Sequence, residues 1–512
     1  MIVISKQEKT TSTAPAQKLS KRNLWTFPLG TIGRDMGGSL FSNYLLTYVL
    51  FTKTLTEAQF AAMSIIMVVV QVFDALNDPI MGNVLEVTRT RIGKFKPWII
   101  AGTLSSAVVF YISFSNTLQG WNYVVLFSIL YFAYSITFTM NDIAYWGMIP
   151  SLASSAKDRN KLTSMTALCA GAGSFLTTLI VPPFTAGENV IGGNAITGYR
   201  ILAILMCSLF IATPAITIFG VKEQPLPKTR SINKVGPRTV FNTLKKNDQL
   251  VWAAVLFLIH SVGNMLVTGG LSVSYLYFEF GYNGMYLTLF TVIGGAAGAI
   301  MTMFYSFFSS RFTRNQLVRF ASFSAILGYA IMLAVGLFVP NSIGMAKFLM
   351  ICVGNLFAFS GQITVYMIMV ICIANTVEYN EWKTGSRDEG IIFSVRPFIT
   401  KLSTSIVQLM VMVIYFVVGV RKVTNQISDL ENQASAGLID ATEKAKQIGS
   451  ILTGVSSGKT AALLLCMTVI PALFATTAYV IYKKKFKITE ARYDELLAEI
   501  AQRKATEDED VQ

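Results

Sequence analysis

The sequence has few of the residues on which soluble enzymes and disulfide-rich domains depend. Charged residues make up 14% of the 512 positions, and the chain contains one histidine, His260, and five cysteines. The cysteines stand singly within apolar runs, so they indicate neither a metal site nor a disulfide framework. Because neither a metal-ligand cluster nor a G-x-S-x-G elbow accompanies the histidine, we expect no enzymatic activity, no catalytic residue and no cofactor. We interpret His260 as a packing residue.

Long apolar runs fill the chain instead. Hydrophobic residues make up 53% of the sequence, and each run is long enough to cross about 30 Å of hydrocarbon. The lysines and arginines behind the net charge of +14 lie in short segments between these runs. They form no basic stripe interleaved with aromatic residues, so we expect a lipid bilayer and no nucleic acid as partner. We predict an all-α membrane protein with twelve helices, near residues 26–51, 58–84, 97–116, 121–149, 163–185, 199–220, 251–280, 284–310, 316–338, 345–376, 391–420 and 459–484.

A basic, proline-containing segment divides the apolar runs into two sets of six. The expected organisation is an N-terminal tail 1–24, a helical bundle 25–221, a linker 222–250, a second bundle 251–484 and a C-terminal tail 485–512 with a surface helix near 489–504. The first 24 residues lack the apolar core of a cleavable signal. Two halves of six helices with a basic linker are typical of the major facilitator fold, in which substrate binds near mid-membrane between the halves.

Lysine and arginine also predict the orientation of the chain. They concentrate in the linker and in the loops on the same side, whereas the opposite short loops carry almost none. The positive-inside rule therefore places both termini in the cytoplasm, for a protein of the cell membrane, plasma or inner. The mixed-charge segment 421–459 is the exception, and we predict that it is an external loop.

The second predicted helix contains an acidic pair. Asp74, Asn77 and Asp78 stand at i, i+3 and i+4, so their side chains share one helical face. An ionised aspartate at mid-membrane costs roughly 2.5 to 3.5 kcal/mol even on the permissive insertion scale. This face therefore needs a cation, a proton or water.

The fourth predicted helix places polar and aromatic groups on one face. Thr139 and Asp142 are three residues apart, and Trp146 follows four residues later. A carboxylate beside an indole suits a sugar, because the acid reads the hydroxyls and the ring stacks on the apolar face of the sugar. A tryptophan without that neighbour would more often be a packing or interface residue.

Two other helices contain buried charges. Arg34 and Asp35 lie a third of the way along the first helix, either as an internal ion pair or with Asp35 facing a polar substrate. In the eleventh helix, Arg396 can reach the cytoplasmic interface, whereas Lys401 is about ten residues into the run and needs an acidic partner. The candidates for that partner are Asp35, Asp78 and Asp142.

Several motifs together resemble the glycoside-pentoside-hexuronide:cation symporter family (melibiose permease-like) of the major facilitator superfamily. They are DALNDPIMG at 74–82, TRTRIGKFKPW at 88–98, GRD at 33–35, D-I-x-x-W at 142–146 and EYNEWKTGSRDEGIIFS at 378–394. The resemblance spans both halves and implies cation-coupled sugar symport by alternating access. It also implies a site for Na⁺ or H⁺ at Asp74, Asn77, Asp78 and Thr139, with Asp74 and Asp78 as the metal ligands if the ion is Na⁺.

The same resemblance implies a sugar site. The substrate-binding residues expected from it, together with the buried cations, are Asp35, Asp142, Trp146, Lys401 and Arg396. Two positions depart from the family: Ala167 stands where some members have an arginine, and Arg396 stands where the melibiose permease has a glutamine. The expected substrate is a sugar or glycoside, and the altered cations make an anionic glycoside or hexuronide a further candidate. A proton-coupled exporter of amphipathic compounds on the same fold is the alternative function.

Overall fold

The computed structural model describes residues 19–153, 155–187, 189–222, 245–386 and 388–509. Within these residues the chain is built from helices, and the only β-pairing is an isolated bridge between Thr90 and Gly93. Most of the predicted N-terminal tail and linker, together with Arg387 and the last three residues, lie outside the described residues. The expectations for those segments remain predictions.

The N-terminal half is organised around its first helix. Its six helices are α1 Lys21–Thr52, α2 Glu57–Val87, α3 Lys96–Ser115, α4 Gly120–Leu152, α5 Ala156–Thr185 and α6 Ala195–Gly220. Helix α1 packs closely on α5 and α6. At Gly33 the approach is so close that a Cβ atom would lie 2.2 Å from the carbonyl oxygen of Leu209 on α6. This glycine therefore permits a helix contact that a larger residue would prevent.

The C-terminal half contains a kinked first helix and two additional helices near its end. Its elements are α7 Asp248–Leu266, a π-helix Val267–Leu271, α8 Ser272–Phe280, α9 Gly284–Ser309, α10 Arg314–Phe338, α11 Gly344–Thr384, α12 Glu389–Val418, α13 Val420–Ser435, α14 Ala441–Thr453, α15 Ser457–Lys485 and α16 Glu490–Glu509. Helices α7 and α8 together correspond to one predicted membrane helix. The π-helix between them contains Gly270, which has a φ of 132°, a conformation that glycine adopts readily. His260 is buried in α7.

Most of these helices are suited to a membrane. Among the described residues, eleven helical segments are long and apolar enough to span a bilayer, with α7 to α8 counted as one. Helix α1 is not one of these eleven segments because of its composition. It contains Arg34 and Asp35 within its apolar run. Its 32 residues nevertheless lie at the centre of the N-terminal half. The all-α membrane fold predicted from the sequence is confirmed.

The segment after α12 differs from the external loop predicted for residues 421–459. Gly419 ends α12 in the left-handed conformation, with φ 70°, and the chain continues as α13. Asp440 then caps α14 by accepting a hydrogen bond from the backbone N–H of Glu443. The predicted surface helix in the C-terminal tail corresponds to α16.

The bundle has two ends, and its halves contact each other at two levels. We call the end with the start of α1 and the end of α15 the terminal end, and the end with α13 and α14 the distal end. The halves meet at mid-bundle, where α2 packs on α12, and at the distal end. There Gly284 N donates to Ala186 O over 2.9 Å, and a Cβ on Gly284 would lie 1.7 Å from the carbonyl oxygen of Pro182.

Candidate functional site

The acidic pair of α2 binds a lysine from the other half of the protein. Lys401 Nζ on α12 lies 2.7 Å from Asp74 Oδ2 and 2.5 Å from Asp78 Oδ2. The three side chains are about one quarter to one third exposed, so the cluster is only partly buried. Of the three predicted partners of Lys401, the structure brings Asp78 to it, and Asp74 is an additional partner that we did not predict. Asp35 and Asp142 do not bind it directly, because the packing of α12 on α2 sets this pairing.

Two hydroxyl groups of α4 hold the other oxygen of Asp74. Ser135 Oγ donates to Asp74 Oδ1 over 2.8 Å, and Thr139 Oγ1 donates to the same atom over 2.9 Å. Both side chains are buried. Because they are four residues apart on one helix, they approach the carboxylate from the same face. Asp74 Oδ1 is therefore fixed to α4, while Oδ2 faces the cation.

The remaining predicted member of the cation site lies on the same helix. Asn77 is half-buried and makes no hydrogen bond to the described part of the chain. Among the described residues there is no cluster of three or more His, Cys, Asp or Glu side chains that could hold a metal. The cluster instead offers two carboxylates and two hydroxyls, which are ligands suited to a hard cation.

A second hydrogen-bonded contact joins the halves one turn away. Ser405 Oγ on α12 donates to Gln71 Oε1 on α2 over 3.0 Å. Gln71 Nε2 in turn donates to the Tyr131 hydroxyl on α4 over 3.4 Å. Gln71 lies three residues before Asp74 on α2, and Ser405 lies four residues after Lys401 on α12. This contact therefore continues along the same helix faces.

A buried arginine connects the two predicted sugar-binding acids. Arg34 donates from Nε to Asp35 Oδ2 over 3.0 Å and from Nη2 to Oδ1 over 3.2 Å. Its Nη1 lies 3.1 Å from Asp142 Oδ1, as an ion pair outside hydrogen-bond geometry. The arginine side chain is 2% exposed, whereas those of Asp35 and Asp142 are 21% and 41% exposed. The internal ion pair is therefore present, and both carboxylates still have a solvent-accessible side.

Two aromatic rings of α4 lie beside this arginine. The Arg34 guanidinium carbon is 5.0 Å from the ring centre of Tyr145 and 5.7 Å from that of Trp146. The Tyr145 hydroxyl bonds to Phe27 O and to Thr217, which fixes α4 against α1 and α6. Trp146 is half-buried and one turn beyond Asp142. The indole and the carboxylate therefore share one face of α4.

The structure does not bring Arg396 to the acids of α1 and α4. Its guanidinium donates to the Tyr366 hydroxyl on α11, inside the C-terminal half, and its side chain is exposed. Ala167 is exposed on α5. Among the described residues, Arg396 and Ala167 make no direct contact. The cation gained at position 396 is therefore not seen to take the place of the arginine that some family members have at position 167.

Sequence reasoning missed two residues of this network, Ser135 and Gln71, and the contact of Arg34 with Asp142. Ser135 and Gln71 share helical faces with Thr139 and Asp74, and that spacing is visible in the sequence. The bridging role of Arg34 could not be read from spacing, because Asp142 is on another helix. Asp142 and Lys401 also interact electrostatically, so the cation cluster and the sugar-site cluster are neighbours.

A cavity of about 810 Å³ lies elsewhere, at the distal end of the C-terminal half. Its charged lining residues are Glu279 and Lys347, which form a buried ion pair 2.5 Å apart. None of the predicted site residues lines it. The charged network between the halves, and not this cavity, is therefore the candidate site that contains the predicted residues.

Known proteins resemble this chain over most of its length. The family described as MFS/sugar transport protein matches residues 26–490. The chain is 26% identical over 491 residues to the raffinose carrier protein of Pediococcus pentosaceus, covering 93% of this chain and 70% of the relative. It is 24% identical over 490 residues to the inner membrane symporter YicJ of Escherichia coli (strain K12), covering 92% and 95%.

A solved structure supports the same fold. The inward-facing, unoccupied structure of a bacterial homologue of the human lysosomal transporter Spinster aligns with a TM-score of 0.59 and 12% identity, covering 91% of this chain and 99% of that one. The family match covers nearly the whole chain and includes every predicted site residue. The chain therefore belongs to the MFS/sugar transport protein family, and its resemblance to the glycoside-pentoside-hexuronide:cation symporters is confirmed.

Proposed function

We propose that the protein transports a sugar or glycoside across the cell membrane together with Na⁺ or H⁺, by alternating access. The observation that carries this proposal is the position of Lys401. This lysine belongs to the C-terminal half, and its ammonium lies between Asp74 and Asp78 of the N-terminal half. A cation that enters the acidic pair must compete with that ammonium and so changes a contact between the halves.

The charge of the cluster favours a monovalent cation. Two carboxylates and one ammonium carry one net negative charge when all are ionised. A single cation or proton that takes the position of the ammonium neutralises that charge, provided that Lys401 stays inside the bundle. The hydroxyls of Ser135 and Thr139 lie on Asp74. They support a bound cation directly as oxygen ligands, or a proton through the orientation of the carboxylate. Both ions therefore remain compatible with this site.

The contacts of Arg34 with Asp35 and Asp142 support a proposal for the sugar site. We propose that Asp35 and Asp142 accept hydrogen bonds from sugar hydroxyls, that Arg34 holds both carboxylates in position, and that Trp146 covers the apolar face of the sugar ring. Binding of the cation at Asp74 orders α2 against α4, and α4 carries Asp142 and Trp146. Each ligand then strengthens the binding of the other, because equilibrium coupling is reciprocal.

The substrate best suited to this site is an uncharged glycoside. The sugar cluster has two carboxylates and one guanidinium, so it retains one negative charge of its own. An anionic glycoside would be repelled by that charge, and Arg396, the cation that could have attracted it, bonds to Tyr366 instead. The same buried charges disfavour the amphipathic compounds of an exporter, which bind mainly to apolar and aromatic surfaces.

We further propose that the terminal end faces the cytoplasm, as the lysine and arginine distribution indicates. The contacts between α5 and α9 and between α13 and α1 then close the outer side in this conformation. Loading from outside requires those contacts to separate, and release inside follows when they form again.

The test is uptake of labelled glycosides into membrane vesicles that contain the protein, with an imposed Na⁺ or H⁺ gradient. We expect accumulation above the equilibrium level for at least one uncharged glycoside with one of the two ions, and none in vesicles without the protein. Drug-stimulated proton release in the absence of any sugar uptake would contradict symport and support the exporter.

A further inference from the structure

Helix α13 crosses from one half of the protein to the other. It follows α12 in the C-terminal half, yet it packs on α1 and α6 of the N-terminal half. Its apolar residues Val420, Val423, Ile427 and Leu430 recur three or four positions apart and are buried. Helix α14 packs on α13. We call α13 and α14 together the distal cap.

Polar side chains of α13 bind backbone carbonyls at the end of α1 and in the short connection that follows it. Arg421 Nη2 and Asn425 Nδ2 each donate to Leu55 O over 2.9 Å. Asn432 Nδ2 donates to Thr52 O, at the last residue of α1, over 3.0 Å. Helix ends leave carbonyl groups without partners inside the helix. In this conformation the C-terminal half supplies donors for the end of an N-terminal helix.

A buried glutamate anchors the cap at a second point. Glu431 Oε2 accepts a hydrogen bond of 2.6 Å from Ala195 N, at the first residue of α6. Its other oxygen, Oε1, lies 3.0 Å from Lys444 Nζ on α14. The glutamate is fully buried, and a carboxylate at a helix N-terminus is favoured by the unpaired N–H groups and the helix dipole. One side chain thus joins α6, α13 and α14.

We propose that the distal cap is the outer gate of the transporter, which holds the distal end closed in this conformation and must leave α1 and α6 before substrate can enter from that side. This inference rests on the proposed alternating-access function and adds to it the segment that controls one of its two openings. The chemistry suits a reversible contact. The hydrogen bonds that separate are made by neutral amides, backbone groups and a hydroxyl together with the charged side chains of Arg421, Asp429 and Glu431, and water can replace each lost partner.

The gate moves with the C-terminal half as one unit. When Glu431 leaves Ala195, it retains Lys444, because both residues belong to the cap. The buried carboxylate is therefore never left without a cation, which would be strongly unfavourable. The separation surface lies between α13 and the pair α1 and α6, and not within the cap.

The first test tethers the gate. Thr54 Oγ1 donates to Asp429 Oδ1 across the separation surface, and both side chains are accessible. We would introduce the pair Thr54→Cys and Asp429→Cys and treat vesicles with a short, reducible bis-thiosulfonate reagent. We expect glycoside uptake to fall by at least about tenfold and to recover after reduction, because rigid-body opening needs the tethered surfaces to separate.

The matched control is a pair within the cap. Glu443 and Gln447 lie one turn apart on α14, are exposed, and their side chains are 2.8 Å apart. The same reagent on Glu443→Cys with Gln447→Cys should leave uptake unchanged, as should treatment of each single variant. Unchanged uptake by the tethered Thr54 and Asp429 pair, or failure of that pair to react while the control pair reacts, would overturn the proposal.

A second test needs no transport. Ser42 is an exposed residue of α1, between Asp35 and the distal end, and contacts Tyr134 on α4 over 3.1 Å. We would label Ser42→Cys from the distal side with a membrane-impermeant thiol reagent. Adding Asn432→Ala should raise the labelling rate by about fivefold, the change expected for one lost hydrogen bond, while an exposed control, Glu443→Cys, should react at the same rate with and without Asn432→Ala.

Thiol labelling and glycoside uptake test the proposed gate and the proposed symport independently. If sugar uptake is never observed but labelling responds to Asn432→Ala and to the tether, the gate stands and the symport assignment fails. If uptake is observed but labelling and uptake ignore both changes, symport stands and the gate is wrong.

Discussion

At mid-bundle the two halves are joined by an ammonium between two carboxylates, whereas at the distal end neutral amides donate to backbone carbonyls beside the charged side chains of Arg421, Asp429 and Glu431. The central contact places Lys401 between Asp74 and Asp78, all partly exposed. The distal contact places Asn425 and Asn432 on the carbonyls near the end of α1. Both contacts must change during alternating access, yet they differ in what can replace the lost partner.

A soluble cation or a proton can replace the ammonium of Lys401, because a carboxylate pair accepts any of the three. Water alone can replace the amide of Asn432. The central contact is therefore sensitive to ligands, and the distal contact is sensitive only to the relative position of the halves. We infer that the central contact responds to the bound cation and that the distal cap moves as a consequence. Substitutions that disrupt each region separately test these two roles.

The largest effect should come from the acidic pair. Asp78→Asn leaves Lys401 bound to Asp74 and removes the negative charge that a cation would neutralise. We expect gradient-driven accumulation to fall to the equilibrium level, while sugar exchange without a gradient persists, because the distal contact and the sugar site are intact. Uptake and counterflow in vesicles measure the two activities.

Asp494→Asn is the matched control, since Asp494 is an exposed acid on α16. It should accumulate sugar as the unaltered protein does. Full accumulation by Asp78→Asn would show that the central contact does not sense the cation, and the distinction between the two regions would fail.

Spacing along single helices predicted the members of the central site, but not their partners. Asp74 and Asp78 on one face, and Thr139, Asp142 and Trp146 on another, follow from helical periodicity. The partner of Lys401 could not be derived, because it depends on how α12 packs on α2, and the sequence contains no distances. The sequence therefore left three candidates open, and Asp78 was one of them. The second observed partner, Asp74, was not among those candidates.

The distal cap was missed for a different reason. Its segment carries many charges, and charge content suggested a loop. Yet Val420, Val423, Ile427 and Leu430 repeat with helical spacing, and Gly419 marks the helix boundary. Periodicity would have predicted the helix. Its docking on α1 and α6 could not have been predicted, because the acceptors are backbone carbonyls, which leave no trace in the sequence.

The next largest effect should come from the sugar site. Asp142→Asn keeps the shape of the side chain and removes the charge that faces Arg34 and the sugar. We expect sugar binding to weaken by about 1.5 to 3 kcal/mol, roughly 10- to 150-fold, the range for a lost charged hydrogen bond. Cation binding in the absence of sugar should change much less. Calorimetric titration of the purified protein measures both, and unchanged sugar affinity would remove Asp142 from the site.

A smaller effect should come from Ser135. This hydroxyl shares Asp74 Oδ1 with Thr139, so Ser135→Ala leaves one of two donors in place. We expect about fivefold weaker cation binding, near 1 kcal/mol. Ser128→Ala on the same helix is the control, because Ser128 Oγ bonds only to its own helix at Val124 O. Equal cation affinities in the two variants would mean that Thr139 alone orients the carboxylate.

The smallest effect on transport is expected at Lys53, a buried charge at the distal end that has no acidic partner among the described residues, because its effect is on stability. Lys53 is 2% exposed, and its Nζ donates to Asn116 O, Asn116 Oδ1 and Leu118 O at 2.9 to 3.1 Å. Burial, and secondarily the charge of Arg200, lowers the pKa of Lys53 to about 7. An unfolded lysine titrates near pH 10.4, roughly. Between these values the unfolded chain binds more protons, so the free energy of unfolding rises with pH.

Lys53→Met should remove this dependence, because methionine keeps an unbranched apolar side chain and does not titrate. We expect the thermal midpoint of the unaltered protein in detergent to rise from pH 7 to pH 9, with a contribution from Lys53 of up to about 1.4 kcal/mol per pH unit. The slope should be shallower in Lys53→Met and unchanged in Lys422→Met, an exposed position on α13. If Lys53→Met retains the full slope, Lys53 does not titrate in this range, and the distal end contains a buried permanent charge in addition to those of Arg421, Glu431 and Lys444. The contrast between the two regions would then rest on what replaces each contact, and no longer on charge.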